Sequence, residues 1–319
     1  MAADAGDGMS DILYVTGADQ RFFATTLMLL ESFAQRLPGE RLMVCDYGLA
    51  PGQQAYLAER GQLLPRPPGV PESLHPYAKK AAILDYVGAL PWRGLCWIDA
   101  DMLVTGLDTG IMAQLFQRLD ETGAAIALTT DINGIALRDV AAMDEGGVAL
   151  APFRALMADS GADPDAPYVS VGFWLCRSRA LLADWDRRSR GLTPHPLFEQ
   201  NVMALLVHGP RWGKAGEALL LDPMEWQPQN HLLPLIHADG DGHAVRGRTV
   251  RLVHCTASRH WFMDVYDGHV RVGKGTLAGY FRILRNPALR ALQKDLLHDH
   301  VVRHGDALSR HGLLTIADP

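Results

Sequence analysis

Residues 93–106 read RGLCWIDADMLVTG. An apolar run from Leu95 to Ile98 leads into two carboxylates, Asp99 and Asp101, and the chain turns apolar again from Met102 until Gly106. In an open α/β sheet, ligands bind outside the carboxyl ends of the strands. Residues i and i+2 of a strand point to the same side, so both carboxylates are expected to face one point. Two negative charges held that close repel unless a cation lies between them. The pattern is therefore that of a divalent-metal site. Read alone, the triplet fits an acidic turn with two solvated carboxylates about equally well.

The segments before it alternate between strand and helix. DILYVTG (11–17) is a β-rich run, and ATTLMLLESFAQRL (24–37) has helical apolar spacing. ERLMVCDYG is a second strand, PGQQAYLAERG a helix and GQLLPRP a short third strand. HPYAKKAAILDYVGALP is expected to be helical up to the strand of residues 95–98. This order predicts a mostly parallel, doubly wound sheet. Further on, AAIALTTD, YVSVGFWLCRS and RTVRLVHCT are strand-like, whereas RALLADWDRRSRG and FEQNVMALLVHG are helical. Residues 132–167 are expected to form a loop or partial helix over the site. TLAGYFRILRNPALRALQKDLLHDHVVRHG reads as two helices broken at Asn286–Pro287, with apolar positions Phe281, Leu284, Leu289, Leu292, Leu296 and Val301.

A chain of 319 residues, 48% hydrophobic and 21% charged, has globular composition and can bury a large core. The net charge of −6 argues against a nucleic-acid binder, which would carry a basic footprint. Cys45, Cys96, Cys176 and Cys255 lie in apolar runs without CxxC spacing, which predicts reduced core thiols. The opening MAADAGDGMSD lacks the basic and apolar regions of a signal peptide. Residues 1–10 are expected to be a flexible tail and the protein to be cytoplasmic.

Five further blocks stand in a suggestive order: DILYVTGADQRFFATTLMLLESF, YAKKAAILDYV, YVSVGFWL, EQN and HCTASRHW. With WIDADMLV they resemble the GT-A-fold retaining glycosyltransferases related to glycogenin and the bacterial lipopolysaccharide galactosyltransferases. The resemblance covers roughly residues 11–261. It implies a Rossmann-like α/β fold with a mixed central sheet, and a C-terminal helical extension over 262–319. It also implies an enzyme moving a sugar from a nucleotide-diphosphate donor, a UDP-sugar, with Mn²⁺ or Mg²⁺ and with retention.

By that resemblance Asp99, Asp101 and His254 match the metal positions, a donor set that Mn²⁺ accepts. Thr16, Asp19 and Phe22 fall in the nucleotide loop, Phe22 where the family has a stacking tyrosine. Lys80 replaces an arginine near the donor, while Arg259 and His260 bracket a lysine that meets the diphosphate. Gly172 keeps the small residue beside the donor, and Ser170 replaces an asparagine. Glu199 would hold sugar hydroxyls and Gln200 would face the anomeric carbon. Trp226 and Asn230 are candidates for the acceptor side, or equally a buried aromatic and a turn residue.

The acceptor is open: glycan, lipid-linked sugar, protein or small molecule. The basic face of the C-terminal helices, with Arg285, Arg290, Lys294 and Arg303, would suit peripheral contact with the inner membrane face, or a second copy in a homo-oligomer. The competing reading is a helix that covers the domain's own core. Two other functions compete with the transferase. One is a non-catalytic sugar-nucleotide or carbohydrate-binding protein of the same fold. The other is a haloacid-dehalogenase-type phosphatase, against which Leu103 stands where such enzymes need threonine or valine.

Overall fold

The computed structural model describes residues 11–145, 148–149, 151–212, 218–256 and 261–316. The expected tail over 1–10 lies outside these residues, as do Arg259 and His260.

The chain begins with β1 (Ile12–Ala18), α1 (Phe23–Arg36), β2 (Leu42–Asp46), α2 (Pro51–Glu59) and the short β3 (Leu63–Leu64). The helix expected from His75 on is two pieces, α3 (Pro76–Ala81) and α4 (Ile83–Val87), hinged at Ala82. Then come β4 (Gly94–Ile98), β5 (Met102–Val104), α5 (Thr109–Thr122) and β6 (Ile126–Thr130). Asp108 caps α5 by accepting from the Ile111 N–H at 2.8 Å, and Gly123 ends it in the left-handed region (φ 71°). Residues 132–167 hold α6 (Leu137–Ala142), the strand pair β7 (Asp144–Glu145) and β8 (Val148–Ala149), and α7 (Ala151–Ser160). Next are β9 (Val169–Cys176), α8 (Arg179–Arg190), α9 (Phe198–Val207), β10 (Ala218–Leu221) and α10 (Pro223–Trp226).

Seven of these strands form one sheet, in the order β10-β6-β9-β4-β1-β2-β3. β9 alone runs antiparallel to its neighbours, β4 and β6. Its burial explains its composition: VSVGFWLC is buried along its full length, as a strand covered on both faces must be. β1 has β2 on one side and β4 on the other, so the chain order reverses between β1 and β4. That switch point is where an open α/β sheet leaves a crevice at its strand ends.

The remainder is β11 (His237–Asp239), β12 (Gly242–Val245), β13 (Arg248–Thr249), β14 (Leu252–His254), β15 (Met263–Val272), β16 (Gly275–Leu284), α11 (Pro287–Arg310) and β17 (Leu314–Ile316). Here the sequence reading needs correction. Residues 275–284 are a strand, not a helix, paired antiparallel with β15 from Met263↔Leu284 to Val272↔Gly275. A two-residue turn joins them, with Gly273 at φ 59°. Phe281 and Leu284, which mimic a helical face, are buried from the strand instead, as is Leu277.

The expected helix from Pro287 is present, opened by Asn286 accepting from the Leu289 N–H at 3.2 Å. Its residues Leu289, Leu296, Leu297 and Leu308 belong to the same core cluster as α1 and β16. The core therefore already covers the apolar face considered for a membrane surface. Among the described residues, no helix is long and apolar enough to cross a membrane. All four cysteines are free and buried, as expected.

Candidate active site

A cavity of about 790 Å³ opens at the switch point. Asp99, Asp101 and His254 lie on its wall. The two acids sit in the turn between β4 and β5, closed by the Met102 N–H donating to the Asp99 carbonyl at 3.0 Å. His254 is brought beside them because β14 pairs antiparallel with β5, His254 opposite Met102. The convergence expected from a strand is thus produced by a turn and a long-range pairing.

Each acid uses one oxygen as an anchor. Asp99 Oδ1 accepts from Lys80 Nζ at 2.7 Å and from Trp97 Nε1 at 2.6 Å. Asp101 Oδ2 accepts from a guanidinium nitrogen of Arg282. The other oxygens face His254: its Nε2 is 3.2 Å from Asp101 Oδ1 and 3.9 Å from Asp99 Oδ2. Burial alone would raise the Asp101 pKa, but the adjacent His254, by charge and hydrogen bond, and the Arg282 charge hold it below the usual range.

Two oxygens and one imidazole nitrogen within 4.8 Å of one another fit a hard or borderline divalent cation. Gln227 orients the ring. Its Oε1 accepts from the Phe173 N–H and the Thr129 hydroxyl, both at 3.1 Å, and its Nε2 lies 3.0 Å from His254 Nδ1. An ion at Nε2 would require Nδ1 to carry the ring proton and the Gln227 amide to present its oxygen there.

The other sequence candidates divide. Asp19 and Phe22 line the cavity, and Asp19 Oδ1 accepts from the Phe22 N–H at 2.9 Å. Phe23, by contrast, is core, edge-on to Tyr56. Thr16 is fully buried within the sheet. Lys79, adjacent to Lys80, is not solvated; it is buried and donates to the carbonyls of Tyr47 and Glu72 at 2.8 Å each. Gly172 lines the cavity, but the space a Cβ would need there is filled by the Gln227 amide, 2.7 Å away. Trp226 stacks on Phe173 at 5.1 Å in the core, whereas Asn230 is on the cavity wall.

Glu199 and Gln200, from the first turn of α9, both line the cavity. Gln200 Oε1 accepts from the Val171 N–H at 3.4 Å. Glu199 is 3% exposed and its Oε2 has no hydrogen-bond partner. Burial, opposed by Lys80 and assisted by the Asp99 charge, pushes its pKa up to about 7. It is therefore a carboxylic acid at mildly acidic pH and can donate a hydrogen bond into the cavity.

Sequence reasoning missed Arg282, Gln227 and Tyr77. Arg282 reaches the site from β16, the strand misread as a helix. Tyr77 is on the cavity wall and 41% exposed, edge-on to His75 at 5.0 Å.

The sequence matches no family profile and no curated protein. In structure, the chain is similar to an apo form of the bifunctional glycosyltransferase WbbM, with 14% identity over 71% of this chain and a TM-score of 0.47. It spans only 41% of that structure's length. It is also similar to the galactosyltransferase LgtC in complex with donor and acceptor sugar analogs, with 15% identity over 76% of this chain and 86% of that one, at a TM-score of 0.46. Mouse xyloside xylosyltransferase 1 shows 12% identity over 76% and 97% of the two chains, at a TM-score of 0.45. The likeness is one of fold.

Proposed function

We propose that the chain is a glycosyltransferase that moves a sugar from a uridine-diphosphate donor to an acceptor with retention, using Mn²⁺ or Mg²⁺. The observation that carries this reading is the arrangement at the acid pair. Asp99 and Asp101 each anchor one oxygen on a protein cation and turn the other toward His254, on the wall of a sugar-nucleotide-sized cavity. A bound divalent ion would neutralise the departing diphosphate. Asp19 and Phe22, on the loop after β1, are suited to the nucleoside end.

The sugar would lie between the acid pair and the start of α9. Glu199, neutral below about pH 7, donates to a sugar hydroxyl there. Gln200 offers an amide, a poor nucleophile, where a double-displacement enzyme would place a carboxylate. A same-face exchange suits this better. The bond from the anomeric carbon to the diphosphate oxygen breaks, the acceptor oxygen bonds on the same face, and its proton passes to that diphosphate oxygen.

A thermal-shift panel of UDP, GDP, ADP and CMP, with and without Mn²⁺, tests the donor. UDP with Mn²⁺ should stabilise most, because a ligand of the native state raises stability by mass action. Tighter binding of GDP would remove the uridine assignment. Donor hydrolysis that persists in the presence of a chelator would remove the metal, and no turnover of any nucleotide-sugar would leave a binding protein.

A further inference from the structure

We propose that Arg282 is a positioning residue of the cation site: it holds the outer oxygen of Asp101 so that the inner oxygen faces the point shared with Asp99 and His254. The inference rests on the cation-bridged donor reading above. It makes the C-terminal hairpin and helix a structural part of the site.

The geometry is specific. One guanidinium nitrogen of Arg282 donates both to Asp101 Oδ2 and to the Thr256 hydroxyl, the latter at 3.1 Å. The guanidinium carbon lies 5.1 Å from the centre of the Phe22 ring and 5.9 Å from that of Tyr280. Stacking of this kind fixes the guanidinium plane in a way that a lysine would not. The backbone behind it is clamped by α11. Buried Gln293 donates from Nε2 to the Arg282 carbonyl at 2.7 Å, and its Oε1 accepts from the Leu284 N–H at 2.8 Å. Arg282 does for Asp101 what Lys80 and Trp97 do for Asp99. Without a holder, the carboxylate plane of Asp101 turns about the Cβ–Cγ bond and carries the inner oxygen off the shared point.

The same contact could act in the opposite way, with the guanidinium competing with an ion for Asp101. The two roles differ in sign. A competitor, once removed, lets the metal bind more tightly. A positioning group, once removed, weakens it, and partners of this kind typically contribute 10–100-fold to metal affinity.

The experiment is calorimetric titration of the full chain with MnCl₂, without nucleotide-sugar, for the wild type, Arg282→Gln, Arg282→Lys and Arg285→Gln. Thermal melts establish that each is folded. Arg282→Gln is expected to bind Mn²⁺ roughly ten-fold or more weakly. Arg282→Lys should fall between it and the wild type, since an ammonium keeps the charge but not the planar packing on Phe22 and Tyr280. Arg285→Gln, half-exposed and paired with Asp264, should match the wild type. Unchanged or tighter binding by Arg282→Gln overturns the inference and leaves the donor reading intact. A wild type that binds no Mn²⁺ removes both. Should Arg282→Gln not fold, wild-type affinity in Arg282→Lys overturns the inference.

Discussion

The molecule contains two clusters in which carboxylates meet histidines, and they are built oppositely. Asp99, Asp101 and His254 lie on the cavity wall. Glu31, His300 and His304 lie between α1 and α11. In the second cluster the inward atoms already have protein partners. Glu31 Oε1 is ion-paired with Arg303 at 2.9 Å and accepts from Gln35 at 3.0 Å, and its Oε2 is 3.3 Å from His300 Nδ1. His300 Nε2 is 2.7 Å from the Tyr56 hydroxyl, and His304 Nδ1 is 2.8 Å from Arg60. That set closes on itself and fastens the helix to the core. At the acid pair, by contrast, cations hold only the outer oxygens and the inner ones stay turned to a shared point. Residue type does not separate a latch from a ligand site; the placement of the neighbouring cations does.

The strongest way to break this comparison is to remove α11. A chain truncated after Gly273 loses β16, α11 and the core residues Leu277, Phe281, Leu284 and Leu289. Each buried leucine or phenylalanine is worth about 2–5 kcal/mol, so no soluble protein with a cooperative melt is expected by circular dichroism. A truncated chain that melts normally would make the helix an appendage.

Next in size is a pair of substitutions with contrasting effects. Asp101→Ala should lower donor hydrolysis by at least about 100-fold even well below its melt, and its melting temperature should fall too, since the buried pair with Arg282 is broken. Glu31→Gln should cost about 3 kcal/mol for its own broken buried pair but keep its turnover well below the melt. If Glu31→Gln also loses turnover at temperatures where it is folded, the two clusters are not separate in role.

The pH dependence sharpens the contrast further. Burial lowers the His300 pKa, and burial with the His300 and Arg60 charges lowers that of His304 to about 4. Below the ordinary 6.5, the unfolded chain takes protons that the folded latch refuses, so stability falls as pH drops. Glu199 works the other way. Between its ordinary 4.5 and about 7, the unfolded chain has released a proton that the folded one keeps, so stability falls as pH rises. Glu199→Gln should remove that loss, a gain of the order of 3 kcal/mol at pH 8 in the donor-free protein, and leave the acid side unchanged. Denaturant titrations at pH 5, 6.5 and 8 measure it; a variant that parallels the wild type throughout would mean that Glu199 is not held neutral.

The smallest expected effect is at half-buried His304. His304→Ala should cost less than about 1 kcal/mol, and Zn²⁺ should not raise the melting temperature of Asp101→Ala. A Zn²⁺-dependent rise in that background would turn the latch into a second metal site.

Much of the first half was legible, because its elements are local. β1, α1 and β4 carry their patterns in contiguous residues, and the acid pair follows a strand whose apolar run is unmistakable. The C-terminal region was not. Phe281 and Leu284, followed by Leu289 and Leu292, fit one helical face on spacing alone, yet the first two lie on a strand fixed by pairing with β15. Arg282 stayed hidden for the same reason, since its partner Asp101 is 181 residues away. Gln227 likewise reaches His254 and Ser170 only through the fold. Residues 275–284 do not alternate cleanly either, with adjacent Tyr280 and Phe281 both buried, so no local period marks the strand or which of its residues faces the acids.

That separation of 181 residues also has a meaning in time. A ribosome adds about 5–20 residues each second. Asp101 is therefore made roughly 9 to 36 s before the arginine that holds it. During that interval the growing chain carries the acid pair without one of its two cations, and the core residues of α11 are still to come. The cavity wall is among the last features of the molecule to be finished during synthesis, although half of its parts are among the first to be made.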